Sequence, residues 1–80
     1  MNERIEELAL DAGLLNYVDN ETPRRYFIDG NADLEEVEKF VELIVQECAK
    51  IGELKEQGYR DYDPDISVGW YMRKHFGVEK

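Results

Sequence analysis

The sequence predicts a mainly α-helical single domain over residues 1–80: three helices, the central one long, with a short extended segment at residues 24–28. Three observations carry this reading. Apolar residues recur at three- and four-residue spacing through residues 34–57. Capping residues and glycines bracket that stretch and two shorter ones. Residues of high strand propensity cluster in one run only, Arg24-Arg25-Tyr26-Phe27-Ile28.

The first helix is expected from about Asn2 to Ala12. Asn2 suits an N-cap, Glu3 and Glu6 suit the positive end of the helix dipole, and Ile5, Leu8, Ala9 and Ala12 form one apolar stripe. Gly13 is the expected stop. Leu14, Leu15, Tyr17 and Val18 then form a turn or pack over the core. Asp19-Asn20 and Thr22-Pro23 are turn signals, and Asp29-Gly30 closes the extended run. An isolated strand is unstable. This one packs on the helices or pairs with another copy, since no clear second strand stands in the sequence.

The central helix has the strongest signals. Asp33 followed by Glu36 reads as a capping box, and Gly58 as the terminator after about Gln57. Val37, Val41, Ile44, Cys48 and Ile51 are spaced 4, 3, 4 and 3, a seam for the core or for an oligomer. Phe40, Leu43, Val45 and Leu54 widen it beyond half of the circumference. That arc is too broad for one short neighbouring helix, so the central helix lies between the other two or forms an interface with another copy. Gly52, near the arc, permits close approach of another backbone. Pro64 bars a helix before it. The third helix is expected from about Ile66 to Phe76, with Asp65 as its cap, Arg73, Lys74 and His75 in its last turn, and Gly77 as its end.

Composition narrows function. Eighty residues with 42% hydrophobic content fold, but around a thin core. The net charge of −9 argues against direct nucleic-acid binding and against anionic membranes, which need clustered cations. No apolar stretch approaches a membrane span, and no leader-like segment follows Met1. The acids concentrate in residues 1–65, eighteen against seven bases, whereas residues 66–80 hold one against three. An acidic surface serves solubility, or else mimics a phosphate backbone or docks on a basic protein.

The residues that could carry chemistry are few. Cys48 is the only cysteine and lies within a helix, where a small core residue explains it. Asp61, Asp63 and Asp65 alternate like the opening of a calcium loop, but Ile66 stands where glycine is needed and Met72 where a bidentate glutamate is needed. One histidine and one cysteine make no metal site, and no cofactor motif is present. His75 could act as a general base in principle, but no motif supplies its nucleophile or an orienting carboxylate. An enzyme is therefore not expected.

Two segments have the composition of binding sites. Arg24-Arg25-Tyr26 sets two cations beside an aromatic ring. Trp70-Tyr71-Met72-Arg73-Lys74-His75 brings Trp70 near Arg73 and Lys74, and Tyr71 near His75, at helical spacing. Arg, Tyr and Trp dominate binding hot spots, and aromatic stacking beside cations also suits nucleotides. Against this stands packing: Trp70 or Tyr71 could simply fill the core.

Three phrases resemble small accessory proteins of tailed bacteriophages: Met1-Asn2-Glu3-Arg4-Ile5 with Glu7-Leu8-Ala9, Glu38-Lys39-Phe40 through Glu47-Cys48, and Lys74-His75-Phe76-Gly77-Val78-Glu79. They cover about a third of the chain; Arg24 to Asp29 lies outside them. The resemblance implies a setting, the cytoplasm of an infected bacterium, and no catalytic residues. Together with the missing catalytic motifs and the broad apolar arc of the central helix, it points to a non-enzymatic protein, homo-oligomeric, that binds and inhibits a host or antiviral-defence component. The alternatives are a sponge for a nucleotide immune signal of the cyclic-nucleotide or ADP-ribose type, and an acidic DNA mimic.

Overall fold

In the computed structural model, residues 3–18 and 24–78 are described. They form α1 (Glu3–Asp11), β1 (Leu15–Tyr17), β2 (Tyr26–Ile28), α2 (Leu34–Glu56) and α3 (Val68–Phe76). The expected three-helix arrangement with one long helix is what forms. The cap proposed at Asn2 and the turn signals at 19–23 lie outside the described residues.

The helix ends follow local chemistry. Asp33 caps α2 through a full capping box, in which Glu36 Oε2 accepts the Asp33 backbone N–H at 2.7 Å. Helix α2 ends before Gly58, which has φ +71°, a conformation glycine adopts without a Cβ penalty. Gly77 closes α3 in the same way, its N–H bonding to Arg73 and Lys74 carbonyls. The start of α3 corrects the sequence reading. It begins at Val68, not Ile66, because Ser67 caps it by accepting the Trp70 N–H, while Asp65 donates its own N–H to Asp63 Oδ1 in the preceding turn.

A second correction concerns the strands. The run at 26–28 pairs within the chain, antiparallel to β1, with Leu15 opposite Ile28 and Tyr17 opposite Tyr26. Local sequence hides this because β1 is three residues long and its partner lies beyond an eight-residue connection. Asp29 secures the pairing from outside: its N–H donates to the Leu14 carbonyl, and its carboxylate accepts from Asn16 Nδ2 and from the Asn31 N–H.

The three helices touch one another pairwise, and β1 packs on α1. Leu8, Ala9 and Ala12 of α1 and its exit, Leu15, Ile51 of α2 and Phe76 of α3 are the buried apolar residues among those described. Two of the six are alanines, so little apolar volume is enclosed. The shape agrees. The radius of gyration is 15.1 Å, against about 11.6 Å expected for a rounded chain of this length. The longest dimension is 43 Å, and α2 alone, at 1.5 Å per residue, is about 35 Å long.

Candidate functional site

The long helix presents two apolar faces, and only one is covered. Ile51 is buried, and Phe40, Leu43, Ile44 and Leu54 are half-buried against α1 and α3. On the adjoining face Leu34 is 75% exposed, Val37 43%, Val41 52% and Val45 59%. The predicted seam is thus divided along its length. Val37 and Val41 stand in solvent, Ile44 and Cys48 are half-buried, and Ile51 alone reaches the core. Cys48 therefore borders the open face and is not the core residue expected of it. Toward the C-terminal end of that face, Gly52, Lys55 and Glu56 of α2 and Val68 and Met72 of α3 line a groove of about 310 Å³. A Cβ added at Gly52 would meet nothing within 4 Å.

The two basic-aromatic segments form separate clusters. At the hairpin, the Arg24 guanidinium lies over the Tyr17 ring, 4.3 Å from its centroid, and Tyr17 meets Tyr26 edge-on at 5.9 Å. Arg25 is exposed beside them. On α3, Trp70 is 40% exposed, and Lys74 Nζ sits 5.4 Å from its ring centroid. The structure thus brings Trp70 to Lys74 as expected, while Arg73 extends its Nη1 toward Gly69. Tyr71 is partly packed: it contacts Tyr62 and Trp70 edge-on, and its hydroxyl accepts the Asp63 N–H at 2.6 Å. Neither strand contacts α3, so within one chain the hairpin cluster and the α3 cluster belong to different parts of the molecule.

His75 does not pair with Tyr71. Its Nε2 lies 3.0 Å from Glu47 Oε2 instead. The other Glu47 oxygen, Oε1, is closed off from solvent and makes no hydrogen bond of regular geometry; its compensation is the ion pair with the Arg4 guanidinium, which also holds Glu7 at 2.7 Å. This Arg4–Glu47–His75 chain joins α1, α2 and α3. Clefts of about 340 Å³ and 440 Å³ open on its two sides, both bordered by Arg4. The carboxylate orienting His75, unassigned by motif, is therefore Glu47. Its signal in sequence is weak, because the partners come from three helices. Burial, then the positive charges of Arg4 and Lys50, hold His75 below its ordinary pKa, even though Glu47 is adjacent. The Glu47 charge is already engaged by Arg4. A neutral ring donating from Nε2 leaves Nδ1 as an acceptor, so the group could take a proton. The cysteine next in sequence to Glu47 projects about 100° further round the helix, so this dyad and Cys48 do not form a nucleophile–base pair.

Among the described residues no group of His, Cys, Asp and Glu is placed to hold a metal ion, and no helix is long and apolar enough to cross a membrane. Compared with known protein families, curated proteins and solved structures, the chain matches none.

Proposed function

We propose that this chain is a non-enzymatic binding protein, an accessory protein of tailed bacteriophages that docks on and inhibits a host or antiviral-defence protein in the infected cytoplasm. The observation that carries the reading is the exposed Trp70 with Lys74 stacked on it. Helix α3 also contributes Arg73 and holds no acidic residue, in a chain of net charge −9. A large ring left partly in water beneath a cation, on a helix that carries a second, has the composition of an interface centre. The resemblance of three sequence phrases to phage accessory proteins suggests the setting, and self-association through the open face of α2 belongs to the same reading.

The test is calorimetric titration of the protein, and of Trp70→Ala, against purified host and defence proteins. A partner bound by the wild type and at least tenfold more weakly by the variant supports the proposal. Turnover of a substrate by the pure protein overturns it.

Sequestration of a nucleotide signal is the second reading, and the Arg24–Tyr17–Tyr26 stack is what favours it. A base could extend that stack while the cations meet its phosphates. Ligand at a hundred times its Kd would stabilise the fold by about 2.7 kcal/mol, which a thermal-shift screen of cyclic nucleotides and ADP-ribose would register.

A further inference from the structure

We infer that the open face of α2 is the contact between two copies of this chain, packed antiparallel, with Val37 of each copy seated in the Gly52 groove of the other. The inference rests on the self-association in the reading above and gives it a geometry.

The first argument is the layout of the face. At 100° per residue, Leu34, Val37, Val41, Val45, Cys48 and Gly52 fall within an arc of about 80°. Along the length of this stripe, projections occupy one end and a hollow the other. Leu34, Val37 and Val41 stand out from the N-terminal half, each at least 43% exposed. Gly52, without a side chain and facing open space, backs the groove at the C-terminal half, whose wall is Val68 and Met72. A two-fold axis between Ile44 and Val45 places residue i against residue 89 − i. Val37 then meets Gly52, Val41 meets Cys48, and Leu34 meets Lys55, whose alkyl stem can cover it. One surface supplies both knob and hole, as a two-fold contact between identical chains requires.

Charge decides the direction. Residues 34–45 carry four acids and one base, Lys39. Residues 46–56 carry three acids and two bases, and the adjoining α3 adds Arg73 and Lys74 with no acid. A parallel pair would set both acid-rich halves side by side and align the two helix dipoles. The antiparallel pair sets each acid-rich half beside the more basic one, with the dipoles opposed. The stripe is about 27 Å long, short for an interface, so the dimer dissociates on dilution.

Two variants and one cross-link test this. Light scattering and sedimentation from micromolar to near-millimolar protein should show the wild type passing from monomer to dimer. Gly52→Leu fills the hole from within its own chain, and a leucine favours the helix more than glycine does. It should melt no lower than the wild type yet weaken the dimer at least tenfold. Under copper–phenanthroline oxidation, Val41→Cys should form a covalent dimer with Cys48 of the second copy. The wild type should not, because its two Cys48 residues lie about 10 Å apart along the helices. A wild type monomeric throughout, a Gly52→Leu protein that still dimerises, or rapid Cys48–Cys48 coupling in the wild type overturns the inference. Binding of a host protein by a strictly monomeric wild type would leave the function proposed above standing and remove this contact alone.

Discussion

Glu47 is shared by Arg4 and His75: one carboxylate oxygen faces the guanidinium of α1, and the other lies 3.0 Å from the imidazole Nε2 of α3. Six apolar residues are buried among those described, and this polar bridge adds a further tie between the three helices. The Glu47 side chain is 17% exposed, so its contacts are only partly screened. Replacing it by Gln removes the charge that Arg4 and His75 both face. The expected loss is about 1–3 kcal/mol, read as a fall in Tm of several degrees for a domain of this size. An unchanged Tm would show the bridge to be structurally idle.

The same bridge predicts a pH dependence. His75 is held below its ordinary value of about 6.5, so the folded chain binds this proton less readily than the unfolded one. Above pH 6.5 both states are neutral at His75 and the effect is absent. As pH falls from 6.5 through the folded value, the unfolded state takes up the proton first and stability is lost. The ring is about one third exposed, so the effect is a few degrees of Tm at most. Melting curves at pH about 7.5 and 5.5 should show a larger fall for the wild type than for His75→Gln. The difference between the two falls is the contribution of the imidazole and its contacts.

Asp33 governs the start of α2. It accepts backbone N–H groups of the first turn while Glu36 returns a bond to its own N–H. Asp33→Ala should cost about 1 kcal/mol. Glu36→Ala removes half of the box and should cost less. Urea unfolding followed by circular dichroism measures both.

Ile51 is the one buried residue of α2. Ile51→Ala should cost about 2–5 kcal/mol, a large share of the stability of a thin-cored domain. Ile51→Val should cost about 1 kcal/mol and keep the fold. Comparable losses in the two variants would show that the site collapses around the missing atoms.

Trp70 gives a direct optical report. It is the only tryptophan and is 40% exposed, so its emission in the free protein should be that of a partly hydrated indole. A partner that docks on α3 should shift the emission to shorter wavelength. Trp70→Ala should change Tm little while abolishing docking. A large loss of stability would assign Trp70 to the core instead.

The sequence was most legible where the physics is local. Asp33 with Glu36, Gly58 and Gly77 each act within a few residues, and each does in the structure what its position predicts. The breadth of apolar surface on α2 was also readable, because a helical period places it regardless of fold. What escaped depends on residues far apart. The β1–β2 pairing joins Leu15 to Ile28, and the Arg4–Glu47–His75 bridge joins three helices; no spacing rule records either. The start of α3 failed for another reason. Asp65 and Ser67 are both good caps, and only the turn at Asp63 decides which one faces the helix.

Among the described elements, the hairpin packs on the helices through α1 alone. Among these elements strand β2 contacts β1, and β1 otherwise contacts α1. Its amides can thus open to solvent by a local event cheaper than global unfolding. Deuterium should enter residues 15–17 and 26–28 well before the middle of α2, so the chain will breathe as two units. Arg24, Tyr17 and Tyr26 ride on the looser of them, and anything that grips their stack would slow that exchange.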